Sequence, residues 1–197
     1  RYMTDGQLSV PMTIRVQGGV GGSYGAQHSQ SLESWFLNVP GLKVVTPSSV
    51  KDAAGLLAAA IRDDDPVVYL EHRGLYWTKG LVDLDDAPTP IGSAAVARRG
   101  SDVTVVAVSR MVDGAVSASQ KLALDGIEVE VLDLRSVSPI DWATIDESVR
   151  RTRRLVVVLE AVVTGGLGAE LVAGVYATAF EALISPAVRV GAPLTPV

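Results

Sequence analysis

The chain has no cysteine and only two histidines in 197 residues. The missing cysteines exclude disulfides, thiolate nucleophiles and cysteine-ligated zinc or iron–sulfur sites together, and they fit a cytoplasmic protein. The two histidines, His28 and His72, lie far apart, which leaves no histidine-rich metal site. Positive charge is not in excess. The net charge is -5, so the chain carries no basic footprint for a nucleic acid. Long apolar runs are also lacking. Stretches such as 56–61 and 155–159 are far too short to cross a bilayer, and no segment has the pattern of a signal peptide. The expectation is a protein with no nucleic-acid partner and no membrane association.

What is present is an ordinary folding composition: 48% hydrophobic and 20% charged residues. The length suits one large domain or two small ones. The chain starts at Arg1 rather than Met and stops at Val197, just after Pro193-Leu194-Thr195-Pro196. It reads as a fragment cut at both ends.

Short β-rich runs alternate with longer amphipathic ones. Strands are expected at 10–16, 42–46, 67–70, 103–108, 127–134, 155–159 and 188–190. Helices are expected at 32–39, 50–62, 111–124, 142–153 and 168–183. Pro47 stops the second strand, and Ser48 or Ser49 then caps a helix with Ala53, Leu56, Leu57, Ala60 and Ile61 at helical spacing. Pro66 bars that helix from continuing. The nearly continuous apolar runs at 103–108 and 155–159 suit strands covered on both faces. Such alternation predicts mostly parallel sheets in an α/β fold. Between the two series, residues 78–92 change character. Asp83, Asp85 and Asp86 are followed by Pro88, Thr89 and Pro90, which reads as an exposed linker at a domain boundary.

The richest local stretch is Gly25-Ala26-Gln27-His28-Ser29-Gln30-Ser31-Leu32-Glu33. It puts His28 at the end of a loop containing Gly18, Gly19, Gly21, Gly22 and Gly25, with Ser29 and Ser31 as candidate helix caps. A titratable ring held by such backbone suits a ligand site, but it suits equally a polar loop residue that only caps or packs. The glycines match neither the dinucleotide fingerprint nor the phosphate loop, so a ligand-approaching turn and a flexible connector both stand. Thr164-Gly165-Gly166-Leu167-Gly168 follows a strand and opens a helix. Its amides suit an anion, but close strand–helix packing is the favoured reading. Asp63, Asp64 and Asp65 end a helix, where carboxylates oppose the dipole, so either a cation lies nearby or the turn is simply solvated. Arg150, Arg151, Arg153 and Arg154 lie at another helix C-terminus, and the dipole is sufficient reason for them. Asp133 and Arg135 are read as an ion pair on one strand. Glu71-His72 ends a strand at the edge where open α/β sheets bind ligands, though His72 reads equally as a wet surface residue.

Taken in order, several segments resemble a known family. They are Arg1-Tyr2-Met3, Val10-Pro11-Met12, Gly25 to Ser31, Pro40-Gly41-Leu42-Lys43-Val44-Val45, Ala60-Ile61-Arg62-Asp63, Leu70-Glu71-His72, Asp133-Leu134-Arg135 with Pro139, and Glu160-Ala161 with Thr164-Gly165-Gly166. The set resembles the beta subunit of the thiamine-diphosphate-dependent decarboxylating component of 2-oxo acid dehydrogenase complexes, within the transketolase superfamily. Pyruvate, branched-chain and acetoin dehydrogenases belong to that group.

The resemblance implies the later part of a pyrimidine-binding domain at 1–78, a linker at 79–90 and a transketolase C-terminal domain at 91–197. It implies decarboxylation of a 2-oxo acid, or acetoin cleavage, with acyl transfer to a lipoyl group. It implies an alpha-subunit partner in a heterotetramer, with magnesium and the diphosphate held mainly by alpha, and a lipoyl-bearing dihydrolipoyl acyltransferase as the acceptor. His28 matches the family's active-site histidine. Met12, Ala60, Ile61, Asp63 and Asp65 match positions where some relatives hold a structural potassium ion, largely through main-chain carbonyls. There are departures. Asp65 stands where relatives often have Asn, Val16 replaces a glycine, and Arg73-Gly74 replaces an acidic–apolar pair. The glutamate that activates the cofactor in the family lies upstream of Arg1. Two rival readings remain: another transketolase-superfamily enzyme, such as a deoxyxylulose phosphate synthase, and a non-catalytic assembly module with the same fold.

Overall fold

The computed structural model describes residues 2–20, 25–83 and 85–194. They form two compact units. The first comprises Arg1–Ser93 together with Arg135–Ile140, and the second comprises Ala94–Leu134 and Asp141–Val197.

The first unit is built on a four-stranded sheet in the order β1-β3-β2-β7. Its strands are β1 (Thr13–Gly18), β2 (Lys43–Val45), β3 (Val67–His72) and β7 (Ser136–Ser138). β1 and β2 both run parallel to β3, whereas β7 is antiparallel to β2. Helix α1 (Glu33–Leu37) is short, and its N-cap falls on Leu32 rather than on Ser29 or Ser31. Helix α2 (Val50–Ile61) links β2 to β3. It starts at Ser49, whose hydroxyl oxygen accepts the Asp52 amide at 3.0 Å and so satisfies one of the free amides of the first turn. Leu56 and Ala60, at helical spacing, pack against Val45, Val67 and Tyr69. Most of 78–92 is exposed, as a linker would be, yet Thr89 is buried and its amide donates to the Gly55 carbonyl of α2. Gly55 allows this approach, because a β-carbon there would overlap the Thr89 side chain.

The second unit holds a five-stranded sheet in the order β4-β6-β5-β8-β9. Its strands are β4 (Ala95–Arg98), β5 (Val103–Ala107), β6 (Val129–Asp133), β8 (Leu155–Val162) and β9 (Val188–Ala192). All neighbours are parallel except β4, which runs antiparallel to β6. Helix α3 (Met111–Leu124) buries Val112 and Ala115 against Ala107, Val129 and Val131. Helix α4 (Trp142–Thr152) is capped by Asp141, which accepts the Thr144 amide, and it closes on Arg153 in the left-handed conformation. Helix α5 (Leu167–Ala179) buries Leu171, Val175 and Ala179 along one stripe. The helical stretch expected to reach residue 183 leaves the α conformation after Ala179 and finishes as a tighter turn, Phe180–Ala182.

β4 and β7 were not expected. Both are short, and neither carries a local pattern; each exists because a neighbouring strand offers it an edge. Two charge readings also change. The dipole is not all that holds Arg151, which pairs with the fully buried Glu130 of β6. Glu130 also accepts the Ser148 hydroxyl at 2.7 Å, and that hydroxyl is linked to Thr104 at 2.6 Å. Asp133 and Arg135 do not share a strand, because β6 ends at Asp133 and Arg135 has φ 55. The guanidinium of Arg135 donates to Asp52 on α2 at 3.0 Å, 83 residues away in sequence.

Candidate functional site

In the first unit, β1 and β3 run parallel with Gly18 beside His72, so both strands end at one carboxyl edge. Open α/β sheets bind ligands at such an edge, where connections leave the strands. The loop after β1 begins at Gly19 with φ 88, a conformation that glycine adopts freely. The loop returns to its own root, where the Gly19 amide donates to the Gln30 carbonyl at 3.0 Å. Gly18 permits that return: a β-carbon there would lie 3.0 Å from the Gln30 oxygen. Residues 21–24, with Gly21 and Gly22 of the glycine-rich run, lie outside the described residues.

Gly25, with φ 76, opens a single tight turn, Ala26–His28. The His28 amide donates to the Gly25 carbonyl at 3.2 Å, and the Gln30 side-chain amide donates to the Ala26 carbonyl at 3.2 Å. The backbone of His28 is thus fixed while its side chain is exposed. No described atom lies within 4 Å of the point where a Gly25 β-carbon would sit.

His72 is not a wet surface residue, and it lines a cavity at this edge of the sheet. It is 7% exposed. Its Nδ1 accepts the Gly74 amide at 3.0 Å, so that nitrogen presents a lone pair and holds no proton. Its ring lies directly under Gly19, where a β-carbon would overlap Cδ2, Nε2 and Cε1.

A cavity of about 250 Å³ is lined by Arg15, Ser49, Tyr69, Glu71, His72 and Tyr76 among others. The Arg15 guanidinium grips one Glu71 oxygen at 2.5 and 2.8 Å, and the Tyr76 hydroxyl donates to the other at 2.7 Å. Desolvation, and then the hydrogen bond to anionic Glu71, push the Tyr76 phenol up to about 12. The Tyr69 hydroxyl donates to the Ala53 carbonyl at 2.7 Å, and burial pushes its pKa up as well. This cluster was not found from sequence. Its only trace is a charge inside each of two strands, and the pairing spans 56 residues.

The matched potassium positions are gathered at the other end of the sheet. Val10 donates to the Asp64 carbonyl at 2.9 Å and Val67 to the Met12 carbonyl at 2.9 Å, which lays Met12 beside the turn after α2. The Ala60 carbonyl accepts the amides of Arg62 and Asp63. Part of the charge of this turn is met by one lysine. The Lys43 ammonium reaches Asp63 at 2.7 Å and Asp65 at 3.3 Å. Burial lowers the Lys43 pKa, but the hydrogen bonds to the two carboxylates outweigh burial and hold it above the ordinary lysine value. Among the described residues there is no group of three or more His, Asp or Glu side chains able to hold a metal ion. A potassium ion here would rely on main-chain carbonyls of Met12, Ala60 and Ile61, with Asp63 and Asp65 sharing the ammonium of Lys43.

Comparison with known proteins places this architecture. The family model described as "Transketolase, C-terminal domain" matches residues 92–197, and "Transketolase, pyrimidine binding domain" matches residues 1–78. The chain is 47% identical over 193 residues to the pyruvate dehydrogenase E1 component subunit beta-2, mitochondrial, of Oryza sativa subsp. japonica, covering 96% of this chain and 51% of that protein. It is 44% identical over 197 residues to the acetoin:2,6-dichlorophenolindophenol oxidoreductase subunit beta of Bacillus subtilis (strain 168), covering 100% of this chain and 58% of the relative. The pyruvate dehydrogenase E1 component subunit beta of Cyanidium caldarium is 41% identical over 197 residues, with 100% and 60% covered. The chain therefore spans about half to three-fifths of the length of these relatives. Among solved structures, a split-gene transketolase described as an inactive beta4 tetramer superimposes with a TM-score of 0.78 at 25% identity, covering 98% of this chain and 62% of that one.

Proposed function

This chain belongs to the transketolase family, and from that premise we propose that it is part of the beta subunit of a thiamine-diphosphate-dependent 2-oxo acid dehydrogenase component. The observation that carries the reading is His28: an exposed imidazole on a hydrogen-bonded backbone turn in the loop that leaves the carboxyl edge of a parallel sheet. The likeness to pyruvate and acetoin dehydrogenase beta subunits supports the choice of reaction.

In this reading thiamine diphosphate, when bound, supplies the electron sink for breaking the bond next to the substrate carbonyl. The task of this chain is positioning and proton handling. His28 gives or takes a proton at an exposed ring nitrogen while the acyl unit passes to a lipoyl group. The ring is exposed, and in this reading the acyl acceptor is a lipoyl arm carried by a separate acyltransferase. Magnesium and the diphosphate are assigned to an alpha subunit, the second partner in the proposal. A potassium ion at the turn after α2 and a cytoplasmic setting complete it.

The test is an assay of the complete protein co-expressed with its alpha subunit, with thiamine diphosphate and magnesium and an artificial electron acceptor. Pyruvate, a branched-chain 2-oxo acid and acetoin are compared. Cofactor-dependent turnover of one of them is the expected result and names the substrate. A folded complex that binds neither cofactor nor alpha overturns the enzyme reading in favour of a non-catalytic assembly module. A requirement for a sugar phosphate overturns it in favour of another transketolase-type enzyme.

A further inference from the structure

We propose that His72 is a positioning residue for His28, acting through the floor it gives to the glycine loop. For its kinetic consequence this rests on the proposed role of His28; its structural part does not.

The contacts form a continuous path. Gly74 donates its amide to Nδ1 of His72 at 3.0 Å, at the start of the Arg73–Leu75 turn. That bond fixes the rotation of a buried ring. The ring's far edge, Cδ2, Nε2 and Cε1, lies against the backbone of Gly19, so close that no side chain fits between them. The Gly19 amide holds the Gln30 carbonyl at 3.0 Å, and the Gln30 side chain holds the Ala26 carbonyl at 3.2 Å in the turn that ends at His28. Each link is a hydrogen bond or a hard contact, so the ring sets the height of the loop root. His72 is buried, with its ring against Gly19 and its Nδ1 on the Gly74 amide, and those contacts give it a role in placement.

The glycine and the histidine require each other here. The φ of 88 at Gly19 turns the chain onto the ring, and glycine alone lies that close. A smaller residue at 72 leaves a void beneath Gly19, and the loop root settles into it. A displacement of about 1 Å at a catalytic group costs roughly a hundredfold in rate.

The experiment uses the complete protein with its alpha subunit and compares His72→Ala, His72→Asn, Gly19→Ala and His28→Ala. Acyl transfer to a lipoyl domain is read separately from decarboxylation with an artificial electron acceptor. His72→Ala is expected to slow acyl transfer about 10- to 100-fold, mainly in kcat. In the His28→Ala background the same change is expected to cost no more than about twofold, because a residue that acts through His28 has nothing left to position. His72→Asn keeps an acceptor within reach of the Gly74 amide and recovers part of the loss. Gly19→Ala displaces the ring from above and reproduces the defect if His72→Ala does not fold. Losses that add in full to those of His28→Ala, or that lower both reactions equally, overturn the proposal.

Hydrogen exchange reads the loop without any turnover. Amides of Gly19 and His28 are expected to exchange about tenfold faster in His72→Ala, with the second unit unchanged. Unchanged protection of those amides overturns the structural part. Wild-type protein that turns over no substrate, but shows the exchange change, overturns the functional reading and upholds the placement of the loop by His72.

Discussion

The two glycine-bearing turns of this protein look alike in sequence and do different work. In the first unit Gly18 ends β1, and Gly19 and Gly25 follow it. In the second, Gly165, Gly166 and Gly168 follow β8. At Gly19 the missing side chain lets backbone rest on a buried imidazole, and at Gly25 it permits the φ of 76 that opens the turn ending at an exposed one. At Gly168 the missing side chain brings α5 down on Leu159 and Val157, where a β-carbon would sit 3.2 and 3.6 Å from their side chains. At Gly166 it avoids the Val162 carbonyl oxygen at 2.5 Å. One turn therefore presents a titratable group, and the other closes a core, as the sequence reading favoured. Glycine spacing alone does not tell these uses apart. What separates them is what lies underneath: a polar ring in one case, aliphatic side chains in the other.

The strongest way to break this comparison is His28→Ala in the complete protein. Lipoyl acylation is expected to fall about 10²- to 10⁴-fold, the usual worth of a proton-transferring group. The melting temperature should stay within about 1 °C, because the side chain is exposed. A variant that melts early would make His28 a packing residue and remove the difference between the turns.

Glu130→Ala tests the second unit as a structural partner with no share in chemistry. It removes the buried acceptor of Arg151 and Ser148. Urea unfolding should show a loss of about 2–4 kcal/mol, below the upper range for broken buried pairs because Arg151 keeps contact with water. Turnover per folded molecule should not change. Loss of turnover without loss of stability would place function in the second unit.

The pair Gly19→Ala and Gly168→Ala sharpens the contrast directly. At Gly19 a side chain meets both a left-handed backbone and the His72 ring, and we expect a cost of about 1–2 kcal/mol with a fall in turnover. At Gly168 the nearest atom is the tip of Leu159, free to shift, and the gain in helix propensity of up to about 1 kcal/mol offsets the crowding. Thermal melts and activity of the two variants, side by side, decide the matter. Equal effects on activity would erase the distinction.

The smallest effect is spectroscopic. Tyr76 is held neutral up to about 12, against 10.0 for the free phenol. A raised phenol pKa means the unfolded state ionises first, so this contribution is present below about pH 10 and is lost as pH rises from 10 towards 12. Glu71→Gln should move the ultraviolet ionisation midpoint of Tyr76 back towards 10, with little change at neutral pH. An unmoved midpoint would mean that desolvation alone sets it.

Much of the fold was legible because it is written in short-range periodicity. The spacing of Leu56 and Ala60 predicted α2 and the face it buries, and Pro47 and Pro66 bounded the neighbouring strands. The runs at 103–108 and 155–159 announced central strands through their apolar continuity. β4 and β7 were invisible because each depends on an edge made by residues distant in the chain. The cap of α1 was misplaced because Ser29 and Ser31 belong to a loop whose path is set by Gly19 and Gln30, not by the helix. The acidic end of α2 called for a cation, and the sequence did not say that Lys43, from the neighbouring strand, delivers one.

The sequence by itself determined the α/β class, the two series of elements, the absence of any cysteine-based chemistry and the interest of His28, since each follows from composition or from contacts a few residues apart. Tertiary structure alone decided that His72 lies beneath Gly19, that Arg15 and Tyr76 share Glu71, and that Arg135 reaches Asp52. Those pairings join residues between 5 and 83 positions apart. They arise from strand register and loop closure, which fix where side chains meet only after the whole sheet has formed.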